Sequence, residues 1–268
     1  MQALEKQLVS IVKAHSIPGV QFTFPCVEQR DWEENHEFRA SATSTMLETF
    51  TMGYRSMCRW YSGRVFDALE SMGYEWVLRI DDDSGFPEPV YYNIVQELEA
   101  GGFEYGYRNF GGPDAEEVTR GLAEASAFWM VTQSIKPTWL LQFFCHGDGP
   151  INSACWDRNT ISTNFFASKV KLFVRPDVVA FRRWLEAQDG FYRFRWGDAP
   201  VHTLILGMFE PRNNVAELGF SYKHKEQYEY GMFGINYNYT NATMPRIHGY
   251  DSGPVHRDRS WFARLSSG

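Results

Sequence analysis

The stretch YEWVLRIDDD, residues 74–83, decides the fold that the sequence predicts. Its apolar first seven residues are typical of a buried strand, and helical spacing of apolar residues over 54–72 places a helix before it. Asp81, Asp82 and Asp83 follow at the carboxyl end of this strand, where open α/β sheets bind ligands. Three adjacent carboxylates repel one another, so they indicate either a site for Mg²⁺ or Mn²⁺ that also holds a diphosphate, or an acidic turn.

Helical and strand-like patterns alternate along the chain. Beyond this stretch, the spacing predicts helices at 1–15, 90–100, 114–135, 176–190 and from 198 onward, and strands at 19–24, 103–107, 169–174 and 215–222. The alternation predicts an α/β fold with a largely parallel sheet. No stretch resembles an interdomain linker, so a single domain is expected over 1–268, loop-like from Lys223 onward.

The composition is that of an ordinary globular protein of 268 residues, with 44% hydrophobic and 22% charged residues. The net charge of −7, without a basic stripe, excludes a nucleic-acid groove as partner surface. No signal peptide or membrane span is visible in the sequence. Aromatic residues make up 16% of the chain, a share that suits stacking against sugars and core packing equally well.

Four cysteines, Cys26, Cys58, Cys145 and Cys155, are spread along the chain. None are spaced as CxxC, so a zinc site is not expected. Four cysteines are too few for a disulfide framework in a chain of this length. One bridge, such as Cys145 with Cys155, fits the count, and the sequence leaves the pairing open.

Two further blocks are unusual, YRSMCRWYSG at 54–63 and FYRFRWGDAPVH at 191–202. With the acidic triplet between them, they resemble the fungal α-1,2-mannosyltransferases of glycosyltransferase family 15, in which the blocks are close to YRxMCRFYSG and FxxRWGDAPVH. The resemblance covers about 21–224 and leaves 225–268 as a loop-rich tail. It implies a GT-A fold, in which a Rossmann-like nucleotide-binding sheet is flanked by helices.

The resemblance also implies a metal-dependent transferase that uses Mn²⁺, or Mg²⁺, and GDP-mannose to add mannose, with retention, to a glycan or glycoprotein hydroxyl. Asp81 and Asp83 fall on the acidic residues of the family's Glu-Pro-Asp motif, and so would hold the metal and the donor diphosphate. Asp82 replaces the proline. His224 matches the family's histidine metal ligand, with a surface histidine as the alternative assignment and His248 as the alternative ligand.

Other site residues follow from the same resemblance. Tyr61 matches a tyrosine close to the reacting sugar, although core packing explains it equally well. Arg55 and Arg59 are expected near the nucleotide or its phosphates. Asp198 matches an active-site aspartate, and it is also placed to be a helix N-cap. His202, four residues further on, is expected to be structural.

The sequence departs from the family at Phe166, which stands where the family has a glutamate beside the anomeric carbon. Double displacement through this residue is therefore excluded. Three alternatives remain: front-face retention with the leaving diphosphate as base, inversion with Asp198 or Asp157 as base, or sugar binding without catalysis.

The amino end is the second departure, because the chain starts too late to contain the family's first strand in its usual form. This leaves the nucleotide base open, and an inverting transfer of another sugar, such as xylose from a UDP-sugar, is the alternative reaction. Family members are Golgi type II proteins. The expected location is the Golgi lumen if an anchor was trimmed, or the cytoplasm if Met1 is the native start.

Overall fold

The computed structural model describes residues 50–144 and 150–225, together with Ser10 and the strand backbones at 227–229 and 234–235. The contacts of the chain divide it into two units, Met1–Glu33 and Glu34–Gly268. All described residues except Ser10 belong to the second unit. The strand predicted at 19–24 lies outside the described residues, as does the helix predicted at 1–15 apart from Ser10, and the single domain stays a prediction.

A five-stranded sheet organises the described residues, in the order β1-β6-β3-β7-β10. Its strands are β1 (Trp76–Ile80), β3 (Tyr105–Tyr107), β6 (Phe165–Lys169), β7 (Val215–Gly219) and β10 (Gly234–Ile235). Only β3 and β7 are parallel, and the other pairs are antiparallel. The expected largely parallel sheet is therefore wrong, because β6 enters between β1 and β3 in the opposite direction, and alternation of elements does not specify strand direction.

Two small antiparallel sheets flank the main one. The first joins β2 (Ser84–Gly85), β8 (Tyr222–His224) and β9 (Gln227–Glu229), and the second joins β4 (Phe110–Pro113) and β5 (Asn159–Ile161). In the first of these sheets Ser84 pairs with His224. This pairing brings the end of the acidic triplet to a strand more than a hundred residues away in sequence, which is what assembles the candidate site.

The helices largely follow the apolar spacing. They are α1 (Met52–Arg59), α2 (Val65–Ser71), α3 (Ile94–Ala100), α4 (Glu116–Thr119), α5 (Leu122–Thr132), α6 (Val170–Val174), α7 (Pro176–Ala187), α8 (Gly190–Arg193) and α9 (Asp198–Phe209). Thr51 caps α1 by accepting a hydrogen bond from the Tyr54 backbone N–H at 3.2 Å. None of the helices in the described part is long and apolar enough to cross a membrane.

A π-helical turn, Trp60–Arg64, joins α1 to α2 within the predicted helix at 54–72. Gly63 lies in this turn against the side chain of Arg182. A Cβ atom at Gly63 would lie 2.3 Å from the Arg182 Nε atom, so only glycine permits this approach. The turn sets the direction of the segment that carries Tyr61 into the candidate site.

Several boundaries differ from the prediction. The strand predicted at 169–174 is wrong, since β6 ends at Lys169 and the apolar run that follows it forms α6. A short apolar run of this kind fits a strand and a buried helix equally, and the tertiary packing decides between them. The segment from Lys223 onward is also not entirely loop-like, because β8 continues into it and β9 and β10 follow.

Two apolar cores lie on opposite faces of β6. Phe166 belongs to the larger core under α9, and Phe165 and Ala167 belong to the smaller one. The prediction of a buried strand at 74–80 is wrong in part, because Leu78 is 45% and Ile80 42% exposed. Leu78 and Ile80 lie on the same face of β1, so this face is partly exposed, and within the described residues β1 is an edge strand that pairs only with β6.

Candidate functional site

The acidic triplet and His224 form one cluster. Ligand atoms of Asp81, Asp83 and His224 all lie within 4.8 Å of one another. The backbone builds this arrangement: the Ser84 N–H donates to the Asp81 carbonyl at 3.1 Å, and the Lys225 N–H donates to the Asp83 carbonyl at 3.0 Å. Two carboxylates and an imidazole are the oxygen and nitrogen donors that Mn²⁺ accepts, so the cluster fits the predicted metal.

The three side chains differ in their partners. His224 Nε2 lies 3.2 Å from Asp83 Oδ1, and the exposed Lys225 Nζ lies 4.0 Å from Asp83 Oδ2. Asp82 is exposed and belongs to none of these contacts. A cation in the cluster would therefore displace the His224–Asp83 contact, whereas Asp82 has no place in the ligand set.

Arg79 is the central residue of the site, and the sequence analysis missed it. Only 9% of its side chain is exposed. Its Nε and Nη2 atoms donate to Asp81 Oδ1 at 2.9 and 2.8 Å, and its Nη1 atom donates to Asp198 Oδ2 at 2.5 Å. Burial alone would lower the pKa of Arg79, but the carboxylates of Asp198 and Asp81 outweigh it and raise that pKa above its usual value. Arg79 is therefore a permanent cation between two acidic groups.

Asp198 is buried at the start of α9. Its Oδ2 atom accepts from Arg79 and from the Thr163 hydroxyl, the latter at 2.8 Å. Burial would raise the pKa of Asp198, but Arg79 with the other partners holds it below its ordinary value. The N-cap position belongs to Gly197, so the N-cap alternative for Asp198 is wrong. Asp198 is instead an ionised carboxylate fixed by side-chain partners.

Tyr61 packs against Arg79, and His202 contacts the backbone of Tyr61. The Arg79 Cζ atom lies 3.8 Å from the centroid of the Tyr61 ring, a cation–π contact. His202 is fully buried, and its Nε2 lies 2.9 Å from the Tyr61 carbonyl while its Nδ1 lies 3.1 Å from the Tyr105 hydroxyl. Since the carbonyl only accepts, Nε2 carries the hydrogen and Nδ1 accepts. Burial lowers the pKa of His202 to about 4, so His202 is a neutral structural residue, as predicted.

Arg55 and Arg59 are held by protein partners. Arg55 donates to the Tyr192 and Phe50 carbonyls. Arg59 donates to the Tyr192 hydroxyl at 3.1 Å and to Glu186 at 3.4 Å. These contacts place Arg55 against α8 and Arg59 against α7 and α8, and neither arginine belongs to the metal cluster. Their contact with a nucleotide stays a prediction.

Phe166 lies in an aromatic group and is 1% exposed. Its ring is 5.5 Å from that of Tyr105, 6.3 Å from that of Phe66 and 5.2 Å from that of His202. In the register of β1 with β6 it stands opposite Arg79. The position of the missing glutamate is thus filled by a packed apolar side chain.

The cysteines fall into two kinds. Cys58 is free and buried. Cys155 is disulfide-bonded, and its partner lies outside the described residues, as do Cys26 and Cys145. A bridge is therefore present, and its partner stays a prediction.

One signal in the sequence points to Arg79. Side chains of a strand alternate between its faces, so Val77 and Arg79 share one face of β1, and Asp81 follows in the same alternation just after the strand. An arginine on the buried face of an apolar strand needs an acidic partner, and Asp81 is the nearest one. The contacts from Thr163 and Asp198 carry no comparable signal, because both depend on tertiary structure.

Comparisons with known proteins identify a family for the chain. A family model described as glycolipid 2-alpha-mannosyltransferase matches residues 1–243. The curated glycolipid 2-alpha-mannosyltransferase of Saccharomyces cerevisiae is 25% identical over 226 residues, 80% of this chain and 47% of that protein. The chain spans about half the length of the curated relatives that it matches.

Two solved structures share the fold. The mannosyltransferase Ktr4p of S. cerevisiae in complex with GDP superimposes with a TM-score of 0.74 at 17% identity, covering 87% of this chain and 64% of that one. Core-mannan synthase A (CmsA/Ktr4) from Aspergillus fumigatus, in its Mn/GDP form, gives a TM-score of 0.67 at 22% identity, covering 75% and 58%. The fold is therefore GT-A-like, as predicted. Within that class, the chain belongs to the glycolipid 2-alpha-mannosyltransferase family.

Proposed function

We propose that the protein transfers a mannosyl group from GDP-mannose to a hydroxyl of a glycan, with Mn²⁺ or Mg²⁺ at Asp81, Asp83 and His224. The observation that carries the proposal is the meeting of these three ligands beside the Arg79–Asp198 pair. The names of the relatives supply the sugar and the nucleotide, since Ktr4p was solved with GDP and core-mannan synthase A with Mn and GDP.

The cluster suits a metal ion that also binds a diphosphate. Two carboxylates and one imidazole leave coordination positions for phosphate oxygens. Bound there, the metal would supply Lewis-acid neutralisation of the charge on the departing diphosphate. Arg79 holds the Oδ1 atom of Asp81 through two contacts, so the other carboxylate oxygen, Oδ2, is proposed to serve as the metal ligand.

Asp198 is proposed to orient the acceptor rather than to act as its base. Its Oδ2 atom already accepts from Arg79 and Thr163, and its lowered pKa makes it a weak proton acceptor. Phe166 offers no carboxylate for a covalent intermediate. The geometry therefore favours front-face attack, in which the departing diphosphate receives the proton of the acceptor hydroxyl and the configuration is retained.

Tyr61 is proposed to lie beside the donor sugar, because its ring stacks on the Arg79 guanidinium at the centre of the site. The nucleotide role of Arg55 and Arg59 requires that they exchange their contacts with Tyr192 and Glu186 for phosphate oxygens. Substitution of Arg59 by methionine tests this. An unchanged affinity for GDP would remove Arg59 from the donor site.

We also propose a luminal location in the Golgi, as in the family. The disulfide at Cys155 supports it, because disulfides persist in oxidising compartments. Protease protection in intact microsomes tests this location. Digestion of the chain without detergent would contradict it.

Thermal unfolding with nucleotides tests the function. A ligand at about 100 times its Kd adds about 2.7 kcal/mol, which is about 5–10 °C in Tm for a domain of this size. GDP with Mn²⁺ is expected to raise Tm, and GDP with a chelator is expected to raise it less. A rise in Tm with UDP and none with GDP would contradict GDP-mannose as the donor. No effect of any nucleotide on Tm would contradict the proposed transferase activity.

A further inference from the structure

The hydroxyl of Tyr222 links the turn that contains the acidic triplet to the residue before β6. Its oxygen lies 2.6 Å from the Ser84 Oγ atom and 3.2 Å from the Asn164 carbonyl oxygen. A carbonyl only accepts, so Tyr222 donates its hydrogen to Asn164, and Ser84 must then donate to Tyr222. The directions of both hydrogen bonds are therefore fixed.

The Asn164 carbonyl is shared with a second donor. The Asp81 backbone N–H donates to the same oxygen at 3.0 Å, which uses the second of its two lone pairs. The Ser84 N–H donates in turn to the Asp81 carbonyl at 3.1 Å and closes the turn 81–84. Both ends of this turn are thus bonded to one unit, the Tyr222 hydroxyl with the Asn164 carbonyl.

Tyr222 also belongs to the strand that carries the third residue of the metal cluster. It is the first residue of β8, in which His224 pairs with Ser84. The Tyr222 side chain is fully buried, and its ring lies edge-on to that of Phe165 with the centroids 5.7 Å apart. A ring packed in this way holds its hydroxyl in one place. The turn is therefore bonded to a fixed group two residues from His224.

We propose that Tyr222 is a positioning residue for the metal site. Its hydroxyl fixes the turn 81–84, which carries two of the proposed ligands, relative to His224. This inference rests on the proposed function, because it concerns the metal ion of the same site. Without the hydroxyl, the turn would be ordered only when the metal binds, and the cost of that ordering would weaken the binding.

Tyr222→Phe removes the hydroxyl and keeps the buried ring. The Asn164 carbonyl retains the Asp81 N–H as a donor, and Ser84 is only partly buried, so water can replace its lost partner. The variant is therefore expected to fold. Tyr92→Phe is the matched control, since the Tyr92 hydroxyl donates to the Gly219 carbonyl of β7, at 3.4 Å, rather than to the turn.

Titration with Mn²⁺ alone, followed by electron paramagnetic resonance, measures the affinity without turnover. Residues that orient metal ligands change metal affinity by about 10- to 100-fold, so Tyr222→Phe and Ser84→Ala should each raise the Kd for Mn²⁺ by about 10-fold. Ser84→Thr keeps a hydroxyl, and it should bind Mn²⁺ like the parent protein, as should Tyr92→Phe. An unchanged Kd in Tyr222→Phe would overturn the positioning role.

Hydrogen exchange without metal separates this role from general support of the fold. In Tyr222→Phe the amides of the turn 81–84 should exchange about fivefold faster than in the parent protein, which corresponds to the loss of one neutral hydrogen bond. The amides of α9 should exchange at the parent rate. Equal acceleration in the turn and in α9, or none in the turn, would overturn the positioning role.

The same samples distinguish the positioning role from the proposed function. Failure of the parent protein to bind Mn²⁺ would overturn the proposed metal site and the positioning role together. Binding of Mn²⁺ with the same Kd by the parent protein and Tyr222→Phe would overturn the positioning role alone and leave the proposed function intact.

Discussion

Arg79 and Asp198 are joined by a hydrogen bond of 2.5 Å across 119 residues of sequence. This bond links β1, which the acidic triplet follows, to α9, which begins within the second sequence block. It joins the two parts of the site that were predicted separately, the metal cluster and the acceptor residue.

Removal of Arg79 is expected to destabilise the protein strongly. Arg79→Met leaves Asp198 buried without its cation, and breaking a buried pair from one side costs about 3–5 kcal/mol. Arg64→Met breaks a pair with Glu186 in which the two side chains are 29% and 25% exposed, and it should cost about 1 kcal/mol, less than the loss of Arg79. Urea unfolding measures both. Equal losses in the two variants would show that the Arg79–Asp198 pair does not hold the site together.

His202 makes stability depend on pH in a defined window. Its pKa falls from 6.5 in the unfolded chain to about 4 in the folded one. The unfolded chain therefore binds the extra proton between these values, and stability is present above pH 6.5 and lost as the pH falls toward 4. The loss amounts to about 3 kcal/mol. In urea unfolding between pH 6.5 and 4, the His202→Gln variant should lose about 3 kcal/mol less unfolding free energy than the parent protein. Parallel pH profiles of the two proteins would refute the low pKa of His202.

Phe166 is expected to be a packing residue and not a catalytic one. Phe166→Leu keeps an apolar side chain, so it should cost about 1 kcal/mol in unfolding free energy and leave kcat nearly unchanged. Phe166→Ala should cost about 3–5 kcal/mol through the cavity it opens. A large fall in kcat for Phe166→Leu in a folded protein would mean that the ring takes part in the reaction.

Asp83 and Asp82 give a matched pair of variants. Asp83→Ala removes a ligand from the cluster, whereas Asp82→Asn changes an exposed neighbour outside it. We expect the first to abolish Mn²⁺-dependent stabilisation by GDP and the second to preserve it. Thermal unfolding with and without the metal compares them. Equal responses would remove the triplet from the metal site.

Local patterns predicted much of this molecule from sequence. The helix at 176–187, the strand ending at Ile80 and the ligand group of Asp81, Asp83 and His224 follow from apolar spacing and from the family motifs. These features depend on residues close in sequence or on a recognised block. The structure brings the three ligands together as expected, although their binding of a metal stays a prediction.

Features that depend on tertiary contacts were not predicted from the sequence. The direction of β6 and the helical state of α6 depend on packing between distant segments. Arg79 was overlooked because its second partner, Asp198, is adjacent only in the fold. Sequence patterns therefore predicted the clustered group of Asp81, Asp83 and His224 and missed the charged residues around it.

The most direct measurement of the central claim is product formation from GDP-mannose and methyl α-mannoside, followed by NMR with and without Mn²⁺. We predict a metal-dependent disaccharide whose new linkage has the α configuration, which is retention. Transfer that continues in a chelator, or a β-linked product, would contradict the metal-assisted front-face reaction proposed here.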